Sequence, residues 1–174
     1  MDTEIPRMSA LAGQIKRWGH ELGFQQTGIA DTGLADAEDR LHHWLARGYH
    51  GDMTYLAAHG SRRSRTAELV PGTLRVVSVR MDYLPEAQDK AISRLDTDAG
   101  AYVSRYALGR DYHKVLRGRL RALARRIEDE IGAFGHRVFV DSAPVLEKAV
   151  AEKAGLGWIG KHTNLIHRDE GSWF

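Results

Sequence analysis

The segment KVLRGRLRALARRIEDEIG constrains the fold most strongly, because its apolar residues recur at helical spacing over nineteen positions. The spacing puts four large side chains on one helix face: Leu116, Leu120, Leu123 and Ile127. Such a face is stable only when it packs against another layer of the protein. The chain has 174 residues, of which 43% are hydrophobic and 28% charged, typical of a soluble domain with a sizeable core. We therefore expect residues 1–174 to form a single domain.

The same helix carries a second stripe, which is basic. Its members fall within an arc of about 80°, away from the apolar face: Lys114, Arg117, Arg121 and Arg125. This basic ridge has two interpretations, a solvated helix face or a contact surface for nucleic-acid phosphates. The net charge of +2 is too small to decide between them.

Other segments predict helices that alternate with strands. SALAGQIKRWGHELGF predicts a helix with a second apolar face, formed by Leu11, Ile15, Trp18 and Leu22. QTGIA, PGTLRVVSVRMDYL, RVFVD and HTNLIH are rich in residues that favour strands. A further helix is predicted from Pro144 to Ala154, and residues 85–100 predict a loop with one helical piece. The pattern indicates an α/β or α+β domain and leaves the strand order open.

The glycine-rich stretch GLGWIG, which begins at Gly155, has the spacing of a dinucleotide-binding loop. That loop requires a preceding strand and a following helix, whereas here a predicted helix precedes the glycines and β-favouring residues follow them. We therefore expect Gly155 to end a helix, with no pyrophosphate site.

Composition and chain ends exclude several classes of protein. The chain contains no cysteine, so it can form no disulfide, thiolate nucleophile or iron–sulfur cluster by itself. Its sequence has no apolar run of membrane-spanning length, and MDTEIPRMSA lacks the apolar core of a secretory signal. The expectation is a cytoplasmic protein with no membrane partner.

A few polar residues are candidates for chemistry. Asp141 follows the predicted strand RVFVD and is either a helix cap or a catalytic acid. Lys161 and His162 either bind an anion or form an exposed basic turn, and Arg63 belongs to a basic cluster that is either solvated or clamps a polar ligand. The stretch SRYALGRDYH has no regular period and the composition of a functional loop.

Four stretches resemble the N-terminal domain of epoxyqueuosine reductases: IKRWGHELGFQQTGIADT, ELVPGTLRVVSVRMDYLP, YVSRYALGRDYHKVLRGRL and VFVDSAPVLEKAVAEKAGLGWIGKHTNLI. The resemblance implies a nitroreductase-like cobalamin-binding fold, with a mixed sheet flanked by helices. It also implies reduction of epoxyqueuosine to queuosine at the wobble position of tRNA. The cofactors so implied are cobalamin and two 4Fe–4S clusters, with flavodoxin or ferredoxin as electron donor.

The resemblance assigns roles to individual residues. It makes Asp141 the proton donor, and it places cobalamin against Arg63, Ser104, Asp141, His162 and Leu165. It places the substrate near Asp111, Tyr112, His113 and Lys161, and it names no protein ligand for a metal.

One departure from the family limits what this chain can do. Family members continue into a ferredoxin-like domain with eight cluster cysteines and then a helical-repeat segment, whereas this chain stops at Phe174. The resemblance thus implies a truncated fragment that is inactive alone. Two alternatives stay open: a corrinoid-binding protein without catalysis, and a nucleic-acid-binding module that uses the basic ridge.

Overall fold

The computed structural model describes residues 4–83, 88–97 and 100–174. In chain order these residues form α1 (Glu4–Glu21), β1 (Gln26–Ala30), α2 (Ala35–Ala46), α3 (Thr66–Leu69), β2 (Val76–Arg80), α4 (Gln88–Leu95), α5 (Tyr112–Ile131), α6 (Glu147–Lys153), β3 (Trp158–Ile159) and β4 (Leu165–Ile166). Single turns of 3-10 helix cover Thr54–Leu56, Gly60–Arg63 and Arg105–Ala107. Within the described ranges, every helix is too short or too polar to span a bilayer.

The core lies where α1 and α5 pack against strands β1 and β2. Ile15 of α1 packs with Leu123 and Ile127 of α5, and all three are buried. Partly buried side chains from α1 and the residue after it, both strands and the segment after α5 surround them: Leu11, Trp18, Leu22, Ile29, Val77, Val79 and Phe134. The apolar faces predicted for both helices are confirmed.

The sheets are small and antiparallel. β1 pairs with β2 in a register that sets Gln26 opposite Arg80 and Ala30 opposite Val76, and β3 pairs with β4 as a short hairpin. Strands predicted in QTGIA and in the PGTLRVVSVRMDYL segment are confirmed, as is the α+β class. In the described part of the chain, two separate antiparallel pairs replace the mixed sheet that we expected.

The strand predicted in RVFVD is wrong. Residues 132–139 run outside any helix or strand, and no described segment pairs with them in a β-ladder. Side chains hold this segment instead: Val140 is buried, and the Arg137 guanidinium lies 5.2 Å from the centroid of the Phe139 ring. The strand-favouring residues of RVFVD therefore serve side-chain packing rather than backbone pairing.

Helix α6 begins at Glu147, three residues later than predicted. Two backbone N–H groups before it are used elsewhere, since Val145 donates to the carbonyl of Ala143 at 2.8 Å and Leu146 donates to that of Arg63 at 2.9 Å. The predicted end is confirmed: Gly155 has a φ of 79°, and the N–H groups of Gly155 and Leu156 bond to the carbonyls of Glu152 and Ala151, a Schellman motif. A strand follows, β3, which excludes the dinucleotide loop. The predicted HTNLIH strand shrinks to Leu165–Ile166.

A buried arginine ties the last residues to β2. Arg80 donates to the carboxylates of Asp82 at 2.6 Å and Glu170 at 3.2 Å, and its guanidinium lies 5.0 Å from the centroid of the Phe174 ring. Burial and the neighbouring Glu170 carboxyl raise the pKa of Asp82 to about 6. The segment after β4 is thus fixed by charge to the same sheet that carries the core.

Candidate functional site

Asp141 lies in the irregular segment between α5 and α6, and its side chain is about half exposed, at 54%. Its φ of 52° is in the left-handed region, which non-glycine residues adopt at a cost. The residue that caps α6 is Leu146, five positions further on, so the interpretation of Asp141 as that helix cap is wrong. A carboxylate held in an unusual backbone conformation and open to solvent is available for chemistry.

Tyr112, the first residue of α5, contacts this carboxylate directly. Its phenol donates a hydrogen bond of 2.6 Å to Oδ2 of Asp141. This bond, partial burial and the negative charge of Asp141 raise the pKa of Tyr112 to about 12. The phenol therefore stays protonated and holds one carboxylate oxygen, while the arrangement leaves Oδ1 for another partner.

His113 lies between two carboxylates. Its Nε2 is 3.8 Å from Oδ2 of Asp141, and its Nδ1 is 3.1 Å from Oδ1 of Asp111. Asp111 also caps α5, because it accepts the backbone N–H of His113 at 3.0 Å. Desolvation works against ionisation of Asp111, but the two bonds from His113 keep its pKa below the usual value. Asp111, Tyr112, His113 and Asp141 form one group of contacting polar side chains, which we call the Asp141 cluster.

A row of aromatic rings leads from this cluster to the end of the chain. Tyr112 stacks on His113 at 4.0 Å between centroids, and Tyr106 meets Tyr112 edge-on at 6.0 Å. Tyr83 then contacts Tyr106 at 6.1 Å and Trp173 at 5.9 Å. The backbone joins the far end, since Tyr83 donates its N–H to the carbonyl of Trp173 at 2.9 Å.

The remaining residues assigned by resemblance lie on three other segments of the fold. Ser104 is exposed and directly precedes the single turn that carries Tyr106, whose ring contacts Tyr112. The carbonyl of Arg63 accepts the N–H of Leu146, on the loop after Asp141. The Nε atoms of Arg63 and Arg105 are buried and have no hydrogen-bond partner among the described residues.

Lys161 and His162 lie at the tip of the β3–β4 hairpin, and both are exposed. Lys148 of α6 donates to the carbonyl of Thr163 at 2.6 Å and so fixes the tip to that helix. The side chain of Leu165 is buried, which leaves only its backbone for a ligand. Among the described residues, no hydrogen bond joins this tip to the Asp141 cluster.

Glu147 is a site residue to which sequence reasoning gave no role. It is the first residue of α6, and Oε1 of its carboxyl is buried without a hydrogen-bond partner in the described part of the chain. Burial and the charge of Asp141 raise its pKa. The signal was present in the motif DSAPVLE, where the last letter is this acid. No set of three His, Asp or Glu side chains within the described ranges is arranged to hold a metal.

Comparison with known proteins agrees with this architecture. Residues 63–142 match the family model described as "Epoxyqueuosine reductase QueG, DUF1730". An epoxyqueuosine reductase of Pseudomonas aeruginosa is 63% identical over 169 residues, which cover 97% of this chain and 46% of that protein. This chain spans about half the length of the curated relatives it matches.

Solved structures show the same fold. An epoxyqueuosine reductase with an epoxyqueuosine-modified tRNA-Tyr stem loop matches with a TM-score of 0.74 and 21% identity, covering 95% of this chain and 43% of that one. An epoxyqueuosine reductase of Bacillus subtilis, whose catalytic aspartate loop is swung out of the active site, matches with a TM-score of 0.77 and 20% identity over 95% and 43%. The fold is of the α+β class and matches part of the solved epoxyqueuosine reductases. More narrowly, the chain is similar in sequence to somewhat less than half the length of curated epoxyqueuosine reductases.

Proposed function

We propose that this chain is the substrate-binding and proton-delivering part of a cytoplasmic epoxyqueuosine reductase that converts epoxyqueuosine in tRNA to queuosine. Support comes from identities of 63% and 54% to curated reductases across nearly the whole chain. A solved relative with an epoxyqueuosine-modified stem loop supports the choice of substrate. The observation that carries the proposal is the Asp141 cluster, an exposed acid held by a phenol beside an imidazole.

The reaction sets what the protein must supply. An epoxide becomes an alkene when both of its C–O bonds break, and the balance requires two electrons and two protons, with the oxygen leaving as water. An alkoxide is a poor leaving group, so a positioned acid must protonate the oxygen as the first C–O bond breaks. This step is the one that the residues of this chain can perform.

Asp141 is the acid in this proposal. Tyr112 fixes Oδ2, so the proton to be transferred sits on Oδ1, the oxygen to which the phenol does not bond. The loop is exposed and irregular, a setting in which a carboxyl can approach a bound substrate and withdraw again. The swung-out aspartate loop of the Bacillus subtilis relative is consistent with such movement.

His113 is the group that restores the proton. Its Nε2 is close to Asp141, while Asp111 holds its Nδ1 and so orients the ring. The 3.8 Å separation is longer than a hydrogen bond, and catalytic contacts commonly shorten once substrate is bound. Nearly half of the His113 side chain is accessible, at 43%, so it can exchange protons with water. It relays the second proton that the balance requires.

The residues around the cluster fit cobalamin. The buried Nε groups of Arg63 and Arg105 lack partners in the described structure, and such donors suit the carboxamide and phosphate groups at the edge of that cofactor. His162, Ser104 and the backbone at Leu165 would complete its surroundings. Cobalamin, when bound, would supply low-valent cobalt as the immediate electron donor. Because this chain has no cysteine, the 4Fe–4S clusters that feed electrons must lie outside it, and flavodoxin or ferredoxin is the proposed external donor.

Asp141→Asn tests the proposal in a longer protein, in which this chain is joined to the remaining part of an epoxyqueuosine reductase. Asn tolerates the left-handed backbone and keeps the hydrogen bond from Tyr112, but it cannot deliver a proton. Single-turnover reduction of epoxyqueuosine-containing tRNA should slow by about 10² to 10⁴. Thermal melting and tRNA affinity should stay close to those of the parent. An Asp141→Asn enzyme that still turns over within about threefold of the parent would remove Asp141 from the mechanism.

Tyr112→Phe tests the orientation of the acid. Loss of a hydrogen bond to a charged group, worth about 1.5–3 kcal/mol, should slow turnover by roughly ten- to a hundredfold. Tyr102→Phe is the matched control, because Tyr102 is an exposed tyrosine outside the aromatic row. Equal rates in the two tyrosine variants would show that the phenol of Tyr112 does not orient the acid.

A further inference from the structure

A cleft opens between α5 and the irregular segment that carries Asp141. It has a volume of about 230 Å³, room for roughly eight water molecules at ~30 Å³ each. Arg117 and Arg121 line one side from successive turns of α5, and Arg137 lines the other. Ser142, the residue after Asp141, contributes an exposed hydroxyl. A residue that lines the cleft is therefore adjacent in sequence to the proposed acid.

Within the described ranges, no carboxylate neutralises the charge in this cleft. None of its three arginines forms an ion pair with a carboxylate in the described part of the chain, whereas Arg65, Arg80 and Arg126 all do. Arg137 also packs its guanidinium over the Phe139 ring, which restricts its motion. Planar guanidinium groups that converge and lack partners are suited to phosphate, which they bind through paired hydrogen bonds.

Helix stability does not explain this charge pattern. The dipole of a helix favours acids in its first turn and bases in its last. On α5 the order is reversed: the basic residues start at Lys114, while Glu128, Asp129 and Glu130 occupy the last turn. Because the dipole acts mainly on the terminal turns, it gives no reason for the basic residues further along α5.

We infer that this cleft binds a phosphodiester of the RNA backbone and so positions the substrate nucleotide beside Asp141. Lys114 and Arg125 extend the basic ridge beyond both ends of the cleft, giving a track of about 16 Å at 1.5 Å per residue. A track of that length fits a strand with successive phosphates better than a single small anion. The inference rests on the proposed function for its substrate class, RNA, and adds the place where the backbone is held.

The test compares two double variants of equal charge. Arg117→Gln with Arg121→Gln alters the cleft, and Lys90→Gln with Arg94→Gln removes the same two charges from the exposed face of α4. The readout is the anisotropy of a short fluorescein-labelled single-stranded RNA between about 50 and 200 mM salt. The cleft variant should weaken binding at least about tenfold and lower the salt slope by about 1.4, at ~0.7 per phosphate contact. The α4 variant should change the affinity by less than about twofold.

Further arms identify the source of the phosphate and protect against misfolding. Arg137→Gln, at an exposed position outside any helix or strand, should also weaken RNA binding, and Arg137→Lys should restore only part of it. A visible-absorption titration with cobalamin should be unchanged in all cleft variants. Weakened cobalamin binding with normal RNA binding would overturn the inference and assign the cleft to the phosphate of the cofactor.

Equal losses in the two double variants would also overturn the inference, because they would show attraction by net charge alone. So would failure of the parent chain to bind RNA. The proposed function fails separately: it is refuted by an active Asp141→Asn enzyme, whatever the arginine variants do. Normal RNA binding in the cleft variants combined with an inactive Asp141→Asn enzyme refutes the cleft and leaves the chemistry standing.

Discussion

Two regions of this protein are built on different principles. In the first, α1, β1, β2 and α5 bury a continuous apolar core, with Leu123 only 3% exposed. In the second, residues 100–111 and 132–146 have almost no regular structure and carry Asp111 and Asp141 of the proposed site. The first region is held by area removed from water, and the second by a few directed polar and ring contacts. The contrast teaches that stability and activity in this fold should respond to different mutations.

The largest expected effect is a loss of stability caused by a mutation in the first region. Leu123→Ala removes a buried side chain from the centre of the core and should lower the free energy of unfolding by about 2–5 kcal/mol. Leu108→Ala, at a half-exposed leucine of the second region, should change it by less than about 0.5 kcal/mol. Denaturant unfolding of both variants measures the difference. Similar losses at the two positions would show that the irregular region is as tightly packed as the core.

A medium effect comes from two glycines whose added methyl group would meet nothing within 4 Å. Gly155 has a φ of 79° at the end of α6, so Gly155→Ala should cost about 1–2 kcal/mol in backbone strain. Gly118 lies inside α5, where Gly118→Ala should instead stabilise by about 0.5–1 kcal/mol. The melting temperatures should therefore move in opposite directions. A shift of the same sign in both would mean that side-chain space, rather than backbone conformation, governs these sites.

The smallest expected effect is a pH-dependent change in stability, and it comes from Asp82, which follows β2. Asp82 has a pKa raised to about 6 in the folded protein, so the folded state binds more protons than the unfolded chain between about pH 4 and 6. Its contribution to stability must then decline as pH rises through that window. The lowered pKa of Glu170, which follows first from its bond with Asp82, acts in the opposite direction and reduces the net change.

Asp82→Asn should remove this dependence. The stability of the parent relative to Asp82→Asn should fall when the pH is raised from about 4.5 to 7. Asp39→Asn, on the exposed face of α2, serves as the control for a surface carboxyl. Chemical unfolding at the two pH values gives the comparison, and a difference that stays constant would show that Asp82 carries no raised pKa.

Prediction from the sequence succeeded where a local pattern decides the structure. The helical faces of α1 and α5 and the glycine end of α6 follow from spacing and backbone preference within a few residues. The prediction for RVFVD failed because a strand needs a partner, and pairing is a property of the whole fold. The predicted start of α6 failed for a similar reason, since Leu146 bonds to distant Arg63.

The site shows the same limit more strongly. Tyr112 and Asp141 are separated by 29 residues, and their hydrogen bond follows from how the irregular segment returns to the start of α5. No periodic pattern in the sequence predicts that this segment comes back to the start of α5. The resemblance to a family named both residues and gave each a separate role, whereas the geometry joins them into one unit. The same geometry added Glu147 and Arg137, for which the letters alone offered no role.

The row of rings from His113 to Trp173 connects the end of the chain to the proposed acid. Because Trp173 touches Tyr83, which touches Tyr106 and through it Tyr112, the environment of the indole depends on contacts that reach Asp141. A fluorine label on Trp173 would therefore sense movement of the Asp141 loop without any alteration of the loop itself. Trp173 would thus report on the Asp141 loop from a position outside the proposed site.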